Sequence, residues 1–125
     1  MPANFEPVFA ALKAILEKYA AKMSVKADTS TEFTLLTKRP SPFPQHKGQG
    51  MYFASVRLGK AYVSYHLMPL YMNPGLSQAV SPELKKRMQG KTCFNFKAGP
   101  DSAEVAELRR LTAAGYQQWS KQNWL

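Results

Sequence analysis

Phe5, Val8, Phe9, Leu12, Ile15, Leu16, Tyr19 and Met23 recur at steps of three and four along the start of the chain. That spacing predicts an amphipathic helix with one apolar stripe. Pro7 suits its first turn, where the N–H that proline lacks would have no partner. Lys13, Lys18 and Lys22 fall off the stripe and are expected in solvent. A polar stretch, 24–31, follows. Residues 32–39, with Phe33, Leu35 and several threonines, then read as a strand. Pro40, Pro42, Pro44, Gly48 and Gly50 mark a loop. Residues 51–58 form a second expected strand and 61–68 a third, with Gly59-Lys60 as a two-residue hairpin turn between them.

Pro69 ends the third strand. The segment 70–80 is apolar at Leu70, Tyr71, Met72, Leu76 and Val80, yet broken by Asn73-Pro74-Gly75. It is expected to fold over one end of the sheet, either shaping a pocket or covering a small patch of core. Ser81-Pro82-Glu83 is a helix start: a hydroxyl cap, a first-turn proline and an acid at the positive helix end. Gly90 sits where a left-handed residue would end that helix. In 91–97, Thr92, Phe94 and Phe96 share one strand face and Lys91, Cys93, Asn95 and Lys97 the other. Asp101 and Glu104 are spaced as a capping box for a last helix running to about Ser120, with Val105, Leu108, Leu111, Thr112, Tyr116 and Trp119 inward.

The expected order is therefore α-β-β-β-α-β-α in one α+β domain spanning residues 1–125. Hairpin-linked strands imply an antiparallel or mixed sheet, of four to five strands. The two terminal helices carry the long apolar stripes and are placed together on one face. The other face is then open. Val63, Tyr65 and Leu67 look inward, so Tyr62, Ser64 and His66 look outward. The second strand is ambiguous: either Tyr52, Ala54 and Val56 or Phe53, Ser55 and Arg57 face out. With Arg57 outward, Arg57, Tyr62, His66, Lys91, Asn95 and Lys97 form a basic, aromatic candidate site for a phosphate, a carboxylate or stacked bases.

Charge sharpens that expectation. Seventeen basic and eight acidic residues give a net charge of +9. A field of that sign favours anionic partners: a small molecule, nucleic acid or an acidic protein. The densest basic cluster is Lys85-Lys86-Arg87, with Lys91 close behind. The single cysteine, Cys93, cannot form an internal disulfide, which fits a reducing cytoplasm. No apolar run reaches the ~18 residues that a membrane span needs. The N-terminus lacks a signal-peptide layout, so a cytoplasmic protein with no membrane partner is expected. A monomer or weak homodimer needs nothing further from the sequence.

Catalytic motifs are not found. His46, His66 and Cys93 lack the spacing of metal ligands, and no metal or cofactor is expected. No strand-to-helix elbow surrounds Ser64, and no acid close in sequence would orient His66. Gly48-x-Gly50 precedes a strand rather than a helix, the wrong order for a dinucleotide loop. The expected function is thus non-catalytic binding of an anionic ligand or partner, not enzymatic; a small enzyme using Cys93 or His66 is one alternative. The run Lys91–Lys97 has a likeness to the aromatic strand of RNA-recognition modules, but lacks their glycines.

The stretches Tyr62-Val63-Ser64-Tyr65-His66-Leu67-Met68-Pro69 and Ser81-Pro82-Glu83-Leu84-Lys85-Lys86-Arg87-Met88-Gln89-Gly90-Lys91-Thr92-Cys93-Phe94-Asn95-Phe96 resemble the YdhG-like family of small bacterial domains of unknown function. The resemblance implies a frataxin-like sandwich, with helices on one side of an antiparallel sheet. One branch of the family has been linked to iron delivery, so the resemblance also implies an iron or metal chaperone as an alternative. Iron carriage of that type relies on an acidic ridge, because iron ions favour carboxylate oxygens. Here the first helix offers Glu6 and Glu17 amid Lys13, Lys18 and Lys22, with Asp28 and Glu32 nearby. The resemblance therefore carries the fold but no iron ligands.

Overall fold

The computed structural model describes residues 5–40, 50–90, 93–97 and 100–124, and of Pro40 and Met72 only the backbone. The first helix, α1, spans Glu6–Glu17 and buries Val8, Phe9, Leu12, Ile15 and Leu16. It is shorter than its apolar stripe. A 3-10 turn, Ala20–Lys22, follows, and Tyr19 and Met23 still reach the core on either side of it.

Five strands make one antiparallel sheet: β1 (Ser24–Asp28), β2 (Glu32–Pro40), β3 (Gly50–Leu58), β4 (Val63–Leu67) and β5 (Cys93–Phe96). Their order across the sheet is their order along the chain. β1 lies in the stretch read as polar connection. As an edge strand it has mostly exposed side chains, so no alternation of apolar residues marks it. The β3–β4 connection is also longer than expected. Gly59–Tyr62 form the turn, closed by the Gly59 N–H donating to the Tyr62 carbonyl at 2.9 Å.

Three short helices link β4 to β5: α2 (Pro69–Met72), α3 (Pro74–Gln78) and α4 (Pro82–Lys85). Each has proline in its first turn. Asn73 and Ser81 cap the second and third, accepting from the N–H of Leu76 and Leu84 at 3.3 Å each. Leu70 and Val80, from the broken apolar segment, are buried in the main core. Gly90 takes the expected left-handed backbone, φ 84°, but beyond the end of α4, where it turns the chain toward β5.

The last helix, α5 (Ser102–Lys121), opens with the expected capping box. Glu104 also receives Nε and Nη2 of Arg87, whose guanidinium lies 4.6 Å from the Phe96 ring centroid. Asn123 (φ 62°) ends the helical path in a left-handed turn, and Trp124 folds back to within 5.6 Å of Trp119.

α1 and α5 pack on the same face of the sheet. Phe53 meets Tyr19, Tyr116 and Trp119 with ring centroids 6.3, 6.4 and 5.3 Å away, and Tyr65 bonds Thr112. The expected α+β class and one-sided packing of the terminal helices are present; the element order gains a strand and two helices.

Candidate functional site

The face of the sheet turned away from α1 and α5 is built by the strand register. Antiparallel partners share a face. Glu32, Arg57, Ser64 and Asn95 are successive partners across β2, β3, β4 and β5, and so form one transverse row. Thr34, Ser55, His66 and Cys93 form the next row. With strands about 4.8 Å apart, each row spans about 14 Å. All eight side chains in this grid are polar or carry a thiol.

A bulge decides which β3 residues belong to it. Leu35 pairs with Ala54 but Leu36 pairs with Tyr52, which leaves Phe53 as an extra residue. Phe53 and Ala54 therefore both belong to the core, and the alternation changes phase between them. Tyr52 emerges on the same side as Ser55, and their hydroxyls hydrogen-bond. Neither alternation considered for this strand holds along its whole length: Tyr52 comes from one, Ser55 and Arg57 from the other. The adjacent core residues Phe53-Ala54 are the signal that could have located the phase change.

Small side chains floor the grid. Thr34, Ser55 and Ser64 are only 2%, 1% and 8% exposed. Arg57 stands above them with 61% of its side chain in solvent. Its contact with Glu32 is 3.7 Å, too long for a hydrogen bond. Glu32 instead accepts from the Thr34 hydroxyl at 2.6 Å. The Cys93 thiol donates to Oδ1 of Asn95 at 3.2 Å.

Burial governs the titration of this face. It lowers the His66 pKa, and the nearby Arg57 charge lowers it further, so the imidazole is neutral at neutral pH. Burial pushes the Cys93 thiol up. Burial also raises the Tyr52 phenol, although the Ser55 hydrogen bond and Arg57 act the other way. His66 and Cys93 are cross-strand partners, yet both shifts oppose an imidazolium–thiolate pair.

Of the six expected site residues, the grid holds Arg57, His66 and Asn95. Tyr62 is not on the sheet as expected; the longer turn places it before β4, where it is 39% exposed. Lys97 is exposed just past β5. Lys91 lies outside the described residues, as do Thr92 and His46. Among the described residues, Arg57 is the only lysine or arginine in the two rows. Among the described residues, the two rows thus form a hydroxyl-rich carpet with a single guanidinium. Glu32 and Thr34 complete it, and pairing across strands, which sequence alternation does not supply, brings them in.

A second concavity, about 310 Å³, lies between Leu76, Ala79 and Ser81 on one side and Glu107, Arg110, Leu111 and Ala114 of α5 on the other. Oε2 of Glu107 closes one wall by accepting from the Ser81 N–H at 2.7 Å. Among the described residues no group of three or more His, Cys, Asp or Glu side chains gathers as a metal site would require, and no helix is long and apolar enough to cross a membrane. Compared with known protein families, curated proteins and solved structures, the chain shows no significant match.

Proposed function

We propose that this protein is a non-catalytic binding domain whose outer sheet face holds a small ligand bearing one anionic group. The observation that carries this reading is the row Arg57–Ser64–Asn95 across three strands. A guanidinium mostly in solvent offers a charge-assisted, forked donor to a carboxylate or phosphate. Ser64 and Asn95 beside it supply uncharged hydrogen-bonding groups at strand spacing. His66, neutral at pH 7, adds a further donor or acceptor in the adjacent row. The protonated state favoured for Cys93 supports binding over covalent chemistry. The sheet with both terminal helices on one face also agrees with the frataxin-like sandwich implied by the YdhG-like resemblance, which we keep as part of this proposal.

Amide chemical-shift titration with inorganic phosphate, then with small carboxylates and phosphorylated metabolites, tests the reading at about 150 mM salt, where weak surface electrostatics is screened. Shifts concentrated on residues 55–57, 64–66 and 93–95 are expected, together with at least a tenfold loss of affinity in R57A, the ~1.4 kcal/mol scale of a charged hydrogen bond. Unchanged affinity in R57A would remove the face from consideration.

A further inference from the structure

We infer a second site, independent of the sheet face: a phosphate-backbone surface for nucleic acid where α1 and α5 both end. Four exposed cations from separate parts of the chain gather there: Lys18, Lys22, Lys38 and Arg39. Lys38 donates to the Ala21 carbonyl at 3.1 Å and Arg39 to the Asn123 carbonyl at 3.4 Å, which ties the end of β2 to both helix ends. Lys22 stands over the Tyr116 ring at 5.8 Å and Lys18 over the Tyr19 ring at 5.7 Å. Those two rings are themselves 5.0 Å apart, so the lysines crown one aromatic pair.

Capping of helix ends does not use up this charge. Each helix C-terminus carries about half a negative charge, and both together about one. Glu17 adds another on the same end of α1. Against four cations, roughly two positive charges are left over by that count.

The partner follows from what the patch lacks. Among the described residues, the exposed large hydrophobic side chains are Val25, Tyr62 and Tyr71. Tyr62 sits in the β3–β4 turn at the opposite end of the strands, and Val25 of β1 and Tyr71 of α2 are single side chains from separate elements rather than one apolar stripe, so the patch has too little apolar surface to enter a membrane. It likewise has no apolar centre of the kind that holds an acidic protein. The Tyr19 ring is buried beneath its lysine and not presented to bases. What remains is a set of cations, two of them held on backbone carbonyls, the chemistry of sequence-independent phosphate contact.

Fluorescence anisotropy with a labelled DNA duplex and a labelled single-stranded RNA, each about 20 nucleotides long, tests this between 50 and 200 mM salt. Four phosphate contacts on the duplex give a log–log salt slope of about −3.6, a weakening of roughly 150-fold over that range. K18Q/K22Q should bind at least tenfold more weakly at the lower salt and reduce the slope by about two. If that pair perturbs folding, the exposed single change K22Q serves, with a slope reduction of about one. K85Q/K86Q, on and beside α4, and R57A, on the sheet face, should both bind as wild type does. R57A thereby separates this surface from the sheet-face site. No nucleic-acid binding at 50 mM salt overturns the inference. So does an equal loss in K85Q/K86Q, which would mean net charge alone, and so does equally tight binding of polyglutamate.

Discussion

The Tyr65 hydroxyl lies 2.6 Å from Oγ1 of Thr112, which itself donates to the Leu108 carbonyl at 2.7 Å. Thr112 has one proton to give, so Tyr65 is the donor in the pair. This relay pins the middle of β4 to α5 inside a core where both residues are fully buried.

Removing the acceptor leaves the phenol with no partner. T112V is expected to destabilise by about 1–3 kcal/mol, and the double variant Y65F/T112V by less than the sum of the single changes. Denaturant unfolding of the four proteins measures the coupling. Burial also holds the Tyr65 proton well above its ordinary range. The unfolded chain releases that proton above about pH 10 while the folded one keeps it, so this contribution to stability is present below pH 10 and falls as pH rises. Y65F should flatten that alkaline loss.

Acid acts through His66. Its pKa is lowered in the folded state, so its contribution is present above the unfolded value of about 6.5 and is lost as pH falls through the folded one. H66Q should lessen the fall in melting temperature between about pH 6.5 and 5. An unchanged profile would place the acid sensitivity elsewhere.

The Cys93 thiol is buried, raised in pKa and donating to Asn95. Iodoacetamide at neutral pH should modify it more slowly than it modifies the same cysteine in denaturant, with the rate rising toward alkaline pH. Mass spectrometry over time reads the rate, and rapid labelling at pH 7 would reveal an activated thiol.

Gly115 is a packing requirement in α5. A Cβ there would come 2.7 and 2.8 Å from the ring carbons Cβ and Cγ of Pro69. Alanine improves helix propensity by about 1 kcal/mol, but here it must push α2 away. G115A should therefore be net destabilising, by about 1–2 kcal/mol after the two effects oppose each other. A rise in melting temperature would contradict the close approach.

Glu104 joins three elements. It accepts from the Asp101 N–H at 3.1 Å and holds Arg87, which in turn covers Phe96 of β5. E104A should lower stability by about 2–4 kcal/mol, combining a lost cap with a broken, largely buried ion pair. Urea unfolding with an unchanged m-value checks this, and a loss near the ~0–1 kcal/mol of a surface pair would refute it.

The two long helices and the inward sets Val63, Tyr65, Leu67 and Phe94, Phe96 were legible because each obeys a single period over its length. β1 was not, since a mostly exposed edge strand such as Ser24-Val25-Lys26-Ala27-Asp28 has no apolar face to display. The outer grid was half legible. Alternation found Ser64, His66, Cys93 and Asn95, but the bulge at Phe53 broke the phase that would have joined Tyr52 to Ser55 and Arg57. The basic cluster was invisible for a different reason: Lys18 and Lys22 are far from Lys38 and Arg39 along the chain, and the fold alone brings them together.

Because strand order equals chain order, each strand pairs with a sequence neighbour, and loop closure is short for all but the β4–β5 pair. The sheet thus has a local route to assembly, which favours rapid collapse of the hairpins. The union of α1 with α5 is the opposite case, joining the two ends of the chain. We expect docking of α5 to follow the folding transition state, so substitutions at Trp119 should speed unfolding while those at Val56 slow folding. A φ-value near one at Trp119 would reverse that order.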